Sequence, residues 1–370
     1  EGGVDLTGLD VDAGGVQAQG SLSLRRSSPS AADLRVEIAQ GALLDAGQAQ
    51  GVVRIVDGPG AAQAHVKLEA RNARPAGATV TFASAELTAD GPLSRLPYTA
   101  SAQGGSPQGD WRFAGNGVLA SEEPGYLLSF DGSGKLGRRE VRTTEAASFR
   151  FGGDVRSARL RLATSDGGRI ALDGALSGDS ADLTARATDV GLKLVNQDLD
   201  GSFAANVDVH GKGEQLAGAV ELRLNDARGG GSPATEGVDG VVRARLRDGA
   251  IDLNADMSNA QGLRANANLT LPAVATAAPF RVAIARQEPM RGRFSAEGEV
   301  RPLFDLAIGG ERSLSGFVRG QGTLGGTLAQ PRASGNVSVE RGRFLDGATG
   351  LDLRDLTLSA SFSEHEVRVA

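Results

Sequence analysis

Residues 263–271 read LRANANLTL, and the alternation in this stretch decides the fold. Every second residue from Leu263 to Leu271 is apolar, and the residues between them are arginine, asparagine and threonine. Because successive side chains of a strand point to opposite faces, the stretch predicts a β-strand with one apolar and one polar face. A helix would need apolar residues three and four positions apart, and that spacing is nearly absent from the sequence.

The same alternation recurs along most of the chain, for example at residues 34–38, 203–209 and 220–224. Glycine-rich groups interrupt it every ten or so residues, as expected for turns between strands. The connections are too short for parallel crossovers, which need about a dozen residues or more. We therefore predict an all-β protein with an elongated, mostly antiparallel β-sheet arranged as a long meander.

The pattern also suggests how the chain is organised. Residues 1–271 read as one continuous repeating β-structure, and residues 317–370 as its continuation. Between them, residues 272–316 are richer in proline and are predicted to be irregular. Within this segment, residues 301–308 have proline near the start and two glycines after the end, which predicts a short helix that could plug the sheet.

Composition excludes several classes of function. The 370 residues include no cysteine, which excludes disulfides, thiolate catalysis and cysteine-ligated metals. The net charge of −6 leaves no basic face for a nucleic acid, so we expect no nucleic-acid partner. No apolar run reaches the roughly 20 residues of a transmembrane helix. The sequence starts without a leader peptide and ends inside an apparent strand, so we interpret it as a piece of a longer protein.

Motifs for chemistry are also missing. His65, His210 and His365 are far apart and show no spacing typical of a metal site. Residues 320–325, GQGTLG, formally match a dinucleotide fingerprint, but the helix that would hold the pyrophosphate does not follow. We predict that the protein is not an enzyme and has no cofactor, no metal and no catalytic residue.

The apolar half of the pattern consists mostly of small residues, and aromatic residues make up only 4% of the chain. A continuous sheet of 20 to 25 strands, each adding about 4.8 Å, would be on the order of 100 Å long. Such a sheet covers its apolar face by closing on itself, by pairing with a second sheet or by holding a ligand. Acyl chains are one candidate ligand; alternatively, the small residues simply let two walls pack closely.

Two stretches near the end carry a more specific pattern: residues 314–344, LSGFVRGQGTLGGTLAQPRASGNVSVERGRF, and residues 349–356, TGLDLRDL. Glycine-threonine-leucine follows a strand, then a proline, a glycine-containing strand, a glycine before an aromatic residue and a threonine-glycine-leucine turn. This pattern resembles the TamB family, the translocation and assembly module subunits of the AsmA-like, bridge-like lipid transfer group. The preceding 310 or so residues resemble the family in their general strand-and-turn pattern but not in a specific motif.

The resemblance implies a sheet curled into a U-shaped groove, or β-taco, with an apolar interior. It implies a protein in the periplasm of a Gram-negative bacterium, anchored in the inner membrane by a helix outside this sequence. The implied function is to conduct phospholipids towards the outer membrane in outer-membrane biogenesis. The alternative is a scaffold that assembles or translocates outer-membrane β-barrel proteins and autotransporters with a TamA-like, Omp85-type partner, by strand pairing near residues 333–340 or 356–362.

A third reading, a solenoid-like surface adhesin, would need regular rungs, and the drifting strand spacing argues against it. Under the lipid hypothesis the inward side chains contact phospholipid acyl chains. The predicted groove-lining residues are Leu192, Leu194, Phe203, Val207, Val209, Val220, Leu222, Leu224, Leu263, Leu269, Leu271, Val337, Val339, Leu356 and Leu358.

Overall fold

The computed structural model describes residues 4–25, 28–57, 62–107, 109–229, 236–363 and 367–369. The protein is all-β, with open antiparallel sheet and almost no helix, which confirms the predicted fold class and is consistent with a curled groove. The chain divides into two compact units, Glu1–Ser165 (unit 1) and Asp166–Ala370 (unit 2).

Unit 1 is a meander in which each strand pairs antiparallel with the next one in sequence. Its strands are β1 (Val4–Ala13), β2 (Val16–Arg25), β3 (Ser28–Ile38), β4 (Leu44–Val56), β5 (Gln63–Pro75), β6 (Thr81–Pro92), β7 (Arg95–Ser106), β8 (Gly109–Glu122), β9 (Gly125–Leu136), β10 (Arg139–Phe151) and β11 (Val155–Thr164). The turns supply the glycines that the sequence pattern placed between strands.

Unit 2 is also an antiparallel meander, which is interrupted twice. Its elements are β12 (Arg169–Ser177), β13 (Ser180–Gly191), a 3₁₀-helix (Leu192–Leu194), β14 (Leu199–Lys212), β15 (Gln215–Gly229), β16 (Val238–Arg247), β17 (Ala250–Ser258), β18 (Arg264–Thr276), β19 (Arg281–Ile284), β20 (Arg291–Glu299), α1 (Arg301–Ala307), β21 (Arg312–Gly326), β22 (Pro331–Asp346), β23 (Leu351–Phe362) and β24 (Val367–Val369). The main sheet passes from β18 directly to β20, while β19 forms a hairpin with the far end of β18.

Some elements of the structure are not evident from the sequence pattern. Residues 95–106 form β7, where Pro97 weakens the strand signal. β13 ends at Gly191, and a 3₁₀-helix that contains Leu192 and Leu194 follows it. Residues 272–316 were predicted to be irregular outside the helix, yet they contain β19, β20 and the end of β18. Pro279 and Pro289 lie between strands and Pro302 lies in the first turn of the helix, whereas Pro272 lies within β18, between the residues that pair with β20 and those that pair with β19.

The predicted helix at residues 301–308 is present as α1, Arg301–Ala307. Pro302 lies in its first turn, where a missing N–H removes no intrahelical bond. After the helix, Gly309 and Gly310 adopt positive φ angles of 49° and 70°, a conformation that suits glycine at a helix end.

β-Bulges recur near the same end of successive strands in unit 2. The register shifts between β13 and β14 beside Asp189, between β14 and β15 beside Gly201, and between β21 and β22 beside Arg341. Gly201 has a φ of 99°, and a Cβ there would lie 2.4 Å from the carbonyl oxygen of Asp226. Bulges increase local twist and bend the strand, so their alignment gives a physical cause for a curled sheet.

Buried apolar side chains of unit 2 concentrate at the two ends of its strands. The first end, which we call the α1 end, holds Val190, Leu192, Ala227, Val238 and Leu263. The second, the hairpin end, holds a cluster of Ala181, Leu216, Leu246, Ala273 and Ala277. The apolar face between these two ends is therefore not filled by a conventional core.

Candidate functional site

The apolar face of unit 2 is continuous across ten strands. One residue from each strand lies directly opposite its neighbour in the next strand, and we call this set the middle row. The middle row consists of Leu172, Ala185, Val207, Val220, Ala244, Leu253, Leu269, Gly292, Leu324 and Ala333. Directly opposite residues share a face of the sheet, so the row forms an unbroken apolar band about 43 Å long at 4.8 Å per strand.

In each strand, a residue next to the middle row lies on the opposite face of the sheet, and the row formed by these residues is polar. From β13 to β22 the adjacent row consists of Arg186, Asn206, Glu221, Arg243, Asn254, Asn268, Arg293, Thr323 and Ser334. The alternation read from the sequence is therefore kept in register across the middle of these strands.

The middle row is neither buried nor freely exposed. Each of its members is partly accessible, and Val220, the most open, has a relative exposure of 36%. The neighbouring row, which includes Leu222, Val242 and Phe294, is likewise half-buried. A continuous apolar band that stays partly accessible is a candidate binding surface.

Helix α1 closes one end of this face. Its backbone lies against Gly229 at the end of β15, where a Cβ would be 2.1 Å from the carbonyl oxygen of Asp305. At its other end, Glu299 Oε1 accepts hydrogen bonds from the N–H of Gly316 at 2.7 Å and of Arg301 at 3.4 Å. The helix thus extends from β21 to β15, beyond the ends of the strands between them. It covers the strand ends and leaves the middle row accessible.

The hairpin of β18 and β19 closes the opposite end. The N–H groups of Ala277 and Ala278 donate to the carbonyl oxygen of Gly213, in the β14–β15 turn, at 2.8 and 3.0 Å. The N–H of Ala273 donates to Gly249 in the β16–β17 turn at 2.7 Å. These bonds tie the hairpin to turns that lie well before it in sequence, and its alanines pack in the buried cluster of the hairpin end.

The structure places the predicted groove residues at different depths. Phe203, Val207, Val209, Val220, Leu222, Leu224, Leu269 and Val337 lie on the half-buried apolar face of β14, β15, β18 and β22, and Leu356 and Leu358 lie on β23. The register brings Val207 opposite Val220 and Phe203 opposite Leu224. Leu263 is instead buried just before β18, and Leu271 and Val339 are buried within β18 and β22. Leu192 is buried in the 3₁₀-helix, to which Leu194 also belongs.

Several residues of the same face were not among those predicted. Leu253 lies between Ala244 and Leu269 in the middle row, and Leu324 follows Gly292. Phe294 lies beside Gly322, whose added Cβ would be 2.9 Å from the phenyl ring. Alternation within β17 and β20 could have identified Leu253 and Phe294, whereas their neighbours across the sheet follow only from the register.

Unit 1 has an equivalent apolar row across its first ten strands. It consists of Leu9, Gly20, Leu34, Val53, Val66, Ala89, Tyr98, Gly117, Phe130 and Ala147. None of these residues was among the predicted groove-lining residues. β7, which joins the two halves of the row, has only a weak strand signal in the sequence.

Aromatic rings cover glycines on part of the unit 1 face. The ring of Phe130 lies over Gly115 and Gly132, where an added Cβ would be 2.5 and 2.7 Å from ring atoms. Phe113 meets Phe130 edge-on with ring centroids 6.3 Å apart, and Trp111 stacks on Phe113 at the same separation. We call Trp111, Phe113, Phe130 and the glycines beneath them the aromatic patch. Large rings packed over glycines fill space that the small residues alone would leave open.

On the edge of this patch, the Tyr98 hydroxyl donates to the carbonyl oxygen of Ser129 at 2.8 Å. Burial raises the pKa of the Tyr98 phenol above its ordinary value. The phenol therefore stays neutral and acts as a fixed hydrogen-bond donor.

The polar faces carry small networks of charges. Glu221 accepts hydrogen bonds from Arg223 at 2.8 Å and from Arg243 at 3.0 Å, and these bonds lower the pKa of its carboxyl group. Asp352 lies between Arg343 and Arg354, which lower its pKa strongly. Such exposed pairs contribute little to stability, but they keep the outer face solvated.

The described residues contain no group of three or more histidine, aspartate or glutamate side chains placed to hold a metal ion. His65 contacts Asp90 and His210 contacts Asp208 at 2.9 Å, both on the exposed polar face. Asp208 thus places a carboxylate two residues from His210, which the sequence-based interpretation overlooked. His365 lies outside the described residues. Among the helices described, none is long and apolar enough to cross a membrane.

Comparison of the chain with protein-family models, with curated proteins and with solved structures finds no match. The resemblance to the TamB family therefore stays a prediction.

Proposed function

We propose that the protein is a non-enzymatic conduit for phospholipids, whose acyl chains lie on the apolar face of the sheet. The observation that supports this proposal is the middle row of unit 2: ten strands present apolar residues in register, and every one remains partly accessible. An acyl chain occupies about half of a hydrocarbon core that is about 30 Å thick, so the band is longer than one acyl chain.

The physical driving force is burial of methylenes on this band. Each methylene removed from water contributes about 0.8 kcal/mol, and the open backbone near Gly292 and the alanines leave room for it. The row offers no charged or hydrogen-bonding group to select a head group, so the head group would remain in solvent. Movement along the band would then encounter a similar apolar surface at each strand.

In this proposal the chain acts in the periplasm of a Gram-negative bacterium, as part of a bridge from the inner to the outer membrane that supports outer-membrane biogenesis. A membrane anchor and a TamA-like outer-membrane partner belong to the proposal through the resemblance of residues 314–356. The largely polar opposite face supports a role in an aqueous compartment.

The test introduces the same charge on each face of β14. Val207→Asp places a carboxylate in the middle row, between Ala185 and Val220. Asn206→Asp, the matched control, places it one residue earlier on the polar face, where Arg186 Nε already donates to the Asn206 amide oxygen at 3.0 Å. Lipids that copurify with the protein are measured by mass spectrometry, and phospholipid transfer between vesicles by fluorescence.

Val207→Asp should reduce copurified lipid and transfer at least about tenfold, since an unpaired charge on an apolar surface opposes acyl burial. Asn206→Asp should leave both unchanged, and so should charge reversal at the outward Asp208 or Arg223. A charge at Leu222 should act like Val207→Asp. Circular dichroism checks the fold, and Val207→Ser provides a milder variant. Equal lipid content in the two charged variants would exclude the conduit.

A specific observation also favours the scaffold function. β24 pairs only with residues 360–362 of β23, so most of the outer edge of β23 has no partner strand among the described residues. Leu351, Leu353 and Leu358 on this strand are exposed. A long apolar edge is a template for strand addition by a client or an assembly partner. Site-specific crosslinks from residues 353–358 to a protein strand, with no lipid on the purified protein, would select this function.

A further inference from the structure

The β18–β19 hairpin lies at the hairpin end of unit 2, and its second strand is largely exposed. Ala273, Val274, Ala275 and Thr276 pair with residues 281–284 of β19, and residues 277–280 form the turn. We call residues 273–284 the rim hairpin. Ala273 and Ala277 are buried in the cluster with Leu216 and Leu246, whereas the end of the turn and β19 lie outside that cluster.

The rim hairpin exposes four large apolar side chains. The relative exposures are 46% for Val274, 44% for Phe280, 46% for Val282 and 40% for Ile284. Val274 lies on one face of the hairpin, Val282 and Ile284 on the other, and Phe280 in the turn. Phe280, Val282 and Ile284 together form an exposed apolar edge beside the buried cluster, and such an edge suits insertion into an apolar medium.

The rim hairpin is held rigidly. Besides the bonds from Ala277 and Ala278 to Gly213, the N–H of Ala285 donates to Pro272 at 2.9 Å and closes the hairpin. The chain that follows is tied to the β21–β22 turn, where the N–H of Ala329 donates to Arg286 at 2.9 Å. An edge fixed in this way loses little conformational freedom when it is inserted.

Two arginines lie beside the exposed apolar residues of the rim hairpin: Arg281 in β19 and Arg286 shortly after it. Within the described part of the chain, Arg281 and Arg286 form no ion pair, so both are available to an anionic partner.

We propose that the rim hairpin inserts its exposed apolar edge into the surface of a membrane that contains anionic lipids. Phe280, Val282 and Ile284 enter the interface between head groups and acyl chains, and Arg281 and Arg286 bind the lipid phosphates. The combination of an exposed apolar edge with unpaired cations beside it favours a membrane surface with anionic head groups as the partner. This inference does not depend on a lipid in the groove.

Flotation of the whole chain with vesicles tests the proposal. Vesicles of phosphatidylcholine alone are compared with vesicles that also contain phosphatidylglycerol, at low and at high salt. The native chain should float with the anionic vesicles and lose binding as salt screens the arginines. The double variant Phe280→Ser/Val282→Ser should weaken this binding at least about tenfold, because it removes the apolar burial.

Arg281→Ser/Arg286→Ser should weaken binding to the anionic vesicles by about fivefold per arginine and leave any binding to neutral vesicles unchanged. The matched control is Val195→Ser, which alters an apolar residue of 59% exposure at the α1 end and should bind like the native chain. Hydrogen exchange of β18 verifies that the variants fold. Equal binding of the native chain and both double variants, or loss by Val195→Ser of the same size, would overturn the proposal.

The groove variant Val207→Asp separates this proposal from the conduit. It should lose copurified lipid yet float normally, since Val207 lies in the middle row and away from the rim hairpin. If the hairpin instead binds a protein, residue 280 would crosslink to that protein and the native chain would not float, which would also refute the membrane role.

Discussion

Units 1 and 2 are both antiparallel meanders, but their apolar faces are covered in different ways. In unit 1 rings cover glycines on part of the face, as Phe130 covers Gly115 and Gly132. In unit 2 the middle row is mostly aliphatic, and separate elements close the strand ends: α1 at one and the rim hairpin at the other. The difference teaches that closing the ends of a sheet can stabilise it while its central face stays open. Unit 2 therefore has the more accessible apolar band.

The largest expected effect distinguishes the closed ends of unit 2 from its open middle. Leu263 is fully buried at the α1 end, so Leu263→Ala should cost about 2–5 kcal/mol of unfolding free energy, through lost burial and a cavity. Leu269→Ala, the matched control in the same strand region, removes a half-buried side chain and should cost less than about 1.5 kcal/mol. Urea unfolding followed by circular dichroism measures both. Similar costs would mean that the middle row is packed like a core.

The second prediction concerns the aromatic patch of unit 1. Phe130→Ala should uncover the backbone at Gly115 and Gly132 and admit about two more methylenes of a bound acyl chain, which raises affinity about tenfold. Quenching of Trp111, the only tryptophan, by a brominated fatty acid measures binding close to the patch. An unchanged or lower affinity would show that the ring does not fill space available to a ligand.

Phe151→Ala is the control for this comparison. Phe151 is an exposed aromatic residue of the same unit, and its ring stacks on Tyr126 with centroids 5.7 Å apart, outside the aromatic patch. Its removal should leave the affinity unchanged. A gain as large as that of Phe130→Ala would indicate nonspecific loosening of unit 1.

Sequence alternation predicted the β-strands well because each strand carries its own two-residue period. It also placed Val207 and Val220 on one face, since both belong to clear alternating runs. The closed ends could not be predicted in this way. The bonds from Ala277 and Ala278 to Gly213 join residues distant in sequence, and nothing in the local pattern indicates them. Leu192 and Leu263 look like groove residues in the sequence for the same reason, although the structure buries them at a strand end.

The sequence also does not reveal which residues lie opposite each other in neighbouring strands. Glycines interrupt the apolar rows in the sequence, yet Gly292 and Gly322 occupy the same face as Leu269 and Phe294. A glycine has no side chain to report its face, and only the register assigns it. The same ambiguity concealed the aromatic patch, where rings alternate with glycines across β7, β8 and β9.

The smallest expected effect concerns the polar face of β23. Arg343 and Arg354 hold the pKa of Asp352 below its ordinary value of 3.8, so the ionised form is favoured in the folded protein. The stabilisation from this pairing is present above the unfolded-state pKa and is lost as pH falls through the folded value. Asp352→Asn should therefore lower stability slightly near pH 7, and the difference from the native chain should shrink as the pH falls from about 5 to about 2.

Asp355→Asn provides the control for this pH dependence. Asp355 forms no ion pair among the described residues, and its φ of 52° is one that asparagine also adopts readily. Its replacement should leave the pH profile of thermal unfolding unchanged. Because Asp352 lies on the polar face, neither substitution should alter lipid binding by the middle row. A loss of lipid with Asp352→Asn would mean that charges of the polar face also hold the ligand, and the division between the two faces would no longer explain the function.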